Sequence, residues 1–144
     1  MLQNRGDTMA EKASDVICTV IAMHCEKLKE NAEKKATEIM KEMQADIEQN
    51  TPPPYPYRKK HMRGGWKTSV KRFGDGEYIS YGVYNKNVPQ LVHLVEKGHR
   101  IVAGAVDTGG FVPGRHFVDP AWDKAREKLN EEIQKLVEDF NDGK

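Results

Sequence analysis

Residues 93–99 read His-Leu-Val-Glu-Lys-Gly-His, and a further histidine stands at 116. Two histidines around a glutamate make a donor set suited to zinc or a related divalent ion. On a helix, His93 and Glu96 are three residues apart and share a face. The helical zinc-protease pattern needs more: a glutamate beside the first histidine and a second histidine four residues on. Here the glutamate comes too late, and His99 lies beyond Gly98, where a helix should stop. His116 lies across a glycine-rich stretch. The spacing therefore points to a structural role, with no metal and no cofactor: His93 partly buried, with Glu96 and His99 at the surface.

Other chemistries find no better footing. Gly104, Gly109, Gly110 and Gly114 are not followed by the Lys-Ser/Thr of a phosphate-binding loop. Ser14, Ser69 and Ser80 lack the glycines of a nucleophile elbow. No catalytic constellation emerges, and the expectation is a protein without enzymatic activity.

The elements around these residues are readable. Residues 9–49 contain no glycine and no proline and are rich in Ala, Glu, Lys and Met, all good helix formers. Ala13, Ile17, Val20, Ile21, Leu28, Ala32, Ala36, Ile39, Met43 and Ile47 recur at helical spacing and predict one apolar stripe. Asp7 or Thr8 is a suitable cap. Such a helix reaches about 60 Å, more than a small globule can cover, so one end is expected to pack on another subunit. Cys18 and Cys25 lie on it two turns apart, about 10 Å, too far to bridge. They read as small buried hydrophobes. "NTPPPYPY" (50–57) ends the helix and makes a stiff connector.

"WKTSVKRF" and "EYISYGVYN" alternate around "GDG" and predict a β-hairpin. "VPQLVHLVEK" predicts a short helix with Pro89 in its first turn and Gly98 after its end. Residues 101–114 hold four glycines and read as a long exposed loop or a floppy hairpin. A final helix follows, with Asp119 as cap, Pro120 at its first position, and an apolar stripe from Ala121 to Phe140. The fold class is α+β: a long N-terminal helix, a small antiparallel sheet built on a hairpin, a short helix, a glycine-rich loop, and a C-terminal helix packed on the sheet. The expected organisation is a helical arm, 1–50, and an α+β core, 51–144.

Three spaced motifs carry a family resemblance. "GGWKTSVK" is similar to a Gly-led strand opening with a Ser and a basic residue. "YGVYNKNVPQLVHLVEKGH" resembles a strand ending in Val-Tyr-Asn before a short helix bearing His-Leu-Val-Glu-x-Gly. "GRHFVDPAWDKA" resembles an Arg-x-Phe-(Leu/Val)-x-Pro-Ala segment before the last helix. Together they resemble the head–tail joining or tail-completion proteins of long-tailed bacteriophages, over roughly residues 50–140. The chain departs from the pattern at Gly64-Gly65, at Leu91 and at His99. The resemblance implies a non-enzymatic virion protein of the neck or tail. It would join or complete the tail for attachment to the head connector as a homo-oligomeric ring, and would be present in the bacterial host cytoplasm during assembly. It implies structural roles for Asn85, Leu94, Glu96, Gly98, Phe117 and Pro120. Glu96 would accept backbone amides or pair with Arg100 or Arg115.

Composition agrees with a single modest domain: 144 residues, 38% hydrophobic, 31% charged, net charge +1. No global field draws it to nucleic acid or membrane. No apolar run approaches the ~20 residues that span a bilayer, and the first residues lack the apolar core of a secretory signal. The charge is uneven, however. Residues 58–72 hold seven bases and no acid, whereas the chain from Asp119 on holds eight acids and five bases. Opposite patches suit head-to-tail contacts. Arg58, Lys59, Lys60, Arg63, Lys67, Lys71 and Arg72 are candidates to contact an acidic partner or DNA. The alternative function is a nucleic-acid-binding module, with Tyr55, Tyr57 and Trp66 available to stack on bases. Ile101, Val102, Val106, Phe111, Val112 and Arg115, in the glycine-rich segment, are the candidate assembly interface.

Overall fold

The computed structural model describes residues 5–54, 56–57, 59–76 and 78–144, with side chains from Asp15 onward. Its elements are α1 (Arg5–Asn50), β1 (Trp66–Phe73), β2 (Tyr78–Asn85), α2 (Val92–Lys97), β3 (Gly98–Ala103), β4 (Val106–Pro113) and α3 (Val118–Asn141). This is the expected α+β arrangement with one addition. The glycine-rich segment takes the hairpin form of its two readings, as β3 and β4. Helix α1 begins at Arg5, ahead of Asp7 and Thr8, whose side chains fall outside those described. The chain divides into two compact units, residues 1–35 with 132–144, and residues 36–131.

The first unit holds the start of α1 and the end of α3. His24 meets Phe140 edge-on at 6.2 Å, and Lys35 lies 3.9 Å from Glu132. Val16, Ile17, Val20, Ile21 and Met23 stay exposed, Met23 at 67%. Cys18 and Cys25 are exposed too, so the expectation that they are buried does not hold. Helical spacing placed them correctly along α1. It carried no information about whether anything covers that surface.

The second unit contains the core: Ile39, Met40, Met43 and Ile47 of α1, Trp66 of β1, and Phe117, Ala121 and Ala125 at the start of α3. The apolar stripe is thus buried in its second half. Ala121 and Ala125 recur every four residues, and their small side chains let the two helices approach closely. Lys128 pairs with Glu42, and Lys124 lies 3.8 Å from Asp46, at the margin of this contact. Trp66 meets Phe117 edge-on at 6.1 Å, the geometry favoured by ring quadrupoles.

Strands β1 and β2 pair antiparallel from Trp66↔Asn85 to Phe73↔Tyr78. Tyr81 and Val83 turn toward the core while Tyr78 and Tyr84 face out. The turn, Gly74–Gly76, carries Asp75 at φ 54. Strands β3 and β4 pair as a separate two-stranded sheet from Gly98↔Pro113 to Ala103↔Val106, with a bulge after Ile101.

Candidate functional site

The prolines of the connector release α1 at Thr51, and polar bonds then tie the connector down. Thr51 Oγ1 donates to the Ile47 carbonyl at 2.6 Å and accepts from Trp66 Nε1 at 2.8 Å. Arg63 donates to the Thr51 carbonyl at 2.6 Å, and Gly64 N–H donates to Glu48 at 2.6 Å. Asn85, fully buried at the end of β2, donates to the Met62 carbonyl at 2.7 Å. Its side-chain oxygen accepts the amides of Asn87 and Val88 at 3.1 and 3.0 Å. Gly65 lies so close that a Cβ there would stand 2.8 Å from Asn85 Oδ1. Asn85 therefore closes the corner from which α2 starts.

Helix α2 ends at Gly98, with φ 85 and ψ 172, a conformation open essentially to glycine alone. A side chain at Gly98 would strike the Val112 carbonyl at 2.4 Å, and one at Gly114 would strike the Glu96 carbonyl at 2.2 Å. The base of the second hairpin is thus pressed against the end of α2. Arg115 N–H donates to the Val95 carbonyl at 2.8 Å, and His116 N–H to that of Glu96 at 3.2 Å.

This return brings the Glu96 side chain to the start of α3. Its Oε2 accepts the amides of Phe117 and Val118 at 2.8 and 3.0 Å, and Oε1 accepts that of Asp119 at 2.8 Å. Glu96 is 3% exposed and His93 is exposed, which reverses the burial expected from the sequence. The reason is tertiary. The amides that satisfy Glu96 come from residues 21 to 23 positions later, whereas His93 points away from them. The cap of α3 is likewise Glu96, reaching across from α2, and Asp119 lies inside the first turn. A carboxylate at a helix N-terminus also meets the positive end of its dipole. Burial, the largest influence on Glu96, pushes its pKa up. The amides of Asp119, Val118 and Phe117 and the charge of His116 outweigh it and hold the carboxyl below its ordinary value.

Glu96, His116 and Asp119 each bring a ligand-type atom within 4.8 Å of the others. His116, expected to be remote, is returned by the hairpin. Both oxygens of Glu96 are engaged by the three amides, so the group works as a helix cap.

The second hairpin leaves its apolar side chains exposed. Ile101 (45%), Val102 (56%), Val106 (66%) and Phe111 (60%) lie open, and Val112 nearly as much. The register puts Phe111 beside Arg100 and Val112 beside His99, so apolar groups occupy both faces. Arg100 pairs with Asp107 at 2.9 Å. Thr108 Oγ1 donates to the Ile101 carbonyl at 2.6 Å, and Asp107 accepts the Gly109 amide at 3.0 Å, satisfying backbone groups at the bulge. A lone two-stranded hairpin is marginal in water, and the base described above anchors this one. Leu94, on α2, is half-buried.

The candidate basic residues are divided between the connector and the two faces of β1. Lys59 and Lys60 lie exposed in the connector, while Arg63 is spent on Thr51. Lys67 and Lys71 face outward on β1, about 13 Å apart at strand rise, and Arg72 points to the other face. Arg58 and Tyr55 lie outside the described residues. Trp66 is buried at the core, so it is not available to stack on a base as the sequence led one to expect.

Of the two readings of Glu96, the structure takes the acceptance of backbone amides, and those amides are the start of α3; Thr51 and Gly114 were missed from the sequence. Thr51, immediately before three prolines, was the one with a local signal. No helix among the described residues is long and apolar enough to cross a membrane. A family model described as "Bacteriophage HK97-gp10, putative tail-component" matches residues 20–98. No curated protein and no solved structure shows a significant match.

Proposed function

Because the chain belongs to the HK97 gp10-like family of bacteriophage tail components, we propose that it is a structural protein of the virion neck or tail. It joins or completes the tail for attachment to the head connector, as a ring of identical subunits bound to other phage structural proteins. The observation that carries this reading is the hairpin β3–β4: apolar on both faces, exposed, and held at its base by Gly98, Gly114 and Glu96. Such surface is costly to leave in water and marks a contact site. Ile101, Val102, Val106, Phe111, Val112 and Arg115 are its contact residues. The exposed apolar start of α1 offers a second covered surface in the assembly.

The role is non-catalytic. In the acid–histidine cluster found among the described residues, Glu96 is committed to capping α3. The nucleic-acid alternative has less support, because the bases are dispersed and Trp66 is buried. Contact between Lys59, Lys60, Lys67 or Lys71 and DNA is a subsidiary role.

The test is genetic and structural. Phage carrying Val106→Asp and Phe111→Asp should accumulate filled heads and unattached or incomplete tails. The purified variant should keep its helical circular dichroism. Normal yields of complete virions from that double variant would sink the proposal.

A further inference from the structure

A groove of about 490 Å³ runs between the proline connector (52–54), α2 and the base of the second hairpin. Its floor is apolar, made by Met62, Val88, Leu91, Leu94, Val95 and Val112. Lys60, His61, His99 and Arg115 border it, and among the described residues no carboxylate lines it. The volume lies in the range of specific binding pockets, and it would hold two medium or large apolar side chains. The wall is preformed, because prolines 52–54 are stiff and Arg115 is fixed through its backbone amide. Phosphate chains bind to cationic grooves with polar or stacking floors. An aliphatic floor inside a cationic rim fits an apolar segment flanked by acids.

The chain itself carries such a segment. Residues 136–142, at the end of α3 and just beyond it, read Leu-Val-Glu-Asp-Phe-Asn-Asp. Val137 and Phe140 keep 43% and 39% of their surface exposed, and Glu138, Asp139 and Asp142 are exposed around them. We propose that the groove of one copy receives the Val137–Asp142 segment of a second copy. Val137 and Phe140 meet the floor, and the acids meet Lys60 and Arg115. The two surfaces differ, so the contact is heterologous and propagates until it closes. This rests on the ring reading above and names its subunit contact.

Sedimentation velocity on the full chain tests it, from micromolar to about 1 mM, the weakest affinity of interest, at low and high salt. Wild type should self-associate, and more weakly as salt rises. The variants Lys60→Glu/Arg115→Glu and Glu138→Lys/Asp139→Lys should each lose at least about tenfold in association constant, as reversed interface charges do. Mixing the two variants should restore much of it, because each then offers a complementary surface. Far-ultraviolet circular dichroism checks that both are folded. Three results would overturn the contact: a wild type monomeric throughout, association indifferent to both reversals, or a groove whose reversal abolishes only salt-sensitive binding to duplex DNA. Phage bearing Lys60→Glu alone, which leaves intact the Arg115 shared with the hairpin contact, separates this idea from the wider one. Complete virions from that variant, with defective ones from the hairpin variant, would reject the groove contact and leave the tail role standing.

Discussion

Glu96 and Pro120 together account for every orphan amide at the start of α3. Three donors, from Phe117, Val118 and Asp119, go to the Glu96 carboxylate. The next residue, Pro120, has none to satisfy. The short helix α2 and the long helix α3 are thereby locked at one corner, with the second hairpin between them in sequence. Glu96→Ala would strip this cap and leave three partly or fully buried amides without a partner. The expected loss is about 2–4 kcal/mol, read as a lowered denaturant midpoint with unchanged slope. A loss under about 0.5 kcal/mol, typical of a surface site, would mean that water replaces the carboxylate freely.

The same residue sets an acid limit. The folded Glu96 carboxyl sits below its ordinary value, so the unfolded chain takes up its proton first as pH falls. The stabilisation is complete above the unfolded value of 4.5 and is lost as pH drops toward the folded value. Glu96→Gln, which cannot ionise, should be less stable than wild type near pH 7. The gap should narrow as pH falls from about 5. A constant gap over that fall would mean that the charge contributes nothing.

Glycines in the second hairpin should divide by location. A side chain at Gly114 meets backbone at 2.2 Å, with nothing flexible to move aside, whereas Gly104 at φ 65 has open space around it. Gly104→Ala should cost only the left-handed backbone strain, about 1–2 kcal/mol. Gly114→Ala should separate the hairpin base from α2 and lose the Arg115 and His116 backbone bonds as well. Amide hydrogen exchange reads this directly: those two amides should lose protection in Gly114→Ala and keep it in Gly104→Ala. Equal protection in both variants would show that the base tolerates displacement.

What the sequence disclosed follows from the range of each interaction. Helical spacing in α1 and α3, the alternation in β1 and β2, and the stop at Gly98 are local signals, and all appear in the structure. Alternation in β4 was obscured because Thr108 and Gly109 bulge out of the pairing and the adjacent Phe111 and Val112 put apolar groups on both faces. His93 and Glu96 share helical spacing, yet their burial is decided by the arrival of residues 117–119. The stripe on α1 was visible along its whole length. Periodicity cannot tell that Ile39, Met43 and Ile47 find a core while Ile17 and Ile21 do not.

The exposed cysteines turn that last difference into a measurement. Cys18 and Cys25 flank the uncovered segment of α1 that contains Ile21 and Met23. Access governs how fast a thiol reacts, so in the isolated, folded protein both should react with a thiol reagent nearly as fast as in denaturant. In intact virions both should be protected at least about tenfold if another subunit covers this stretch, since burial of the apolar stripe would take its neighbouring thiols with it. Ile17→Lys/Ile21→Lys should then spare the isolated protein, since those side chains already face water, and block assembly. Equal thiol reactivity in the virion and in the free protein would show that the segment stays open. The contacts of the tail would then rest on the second unit alone.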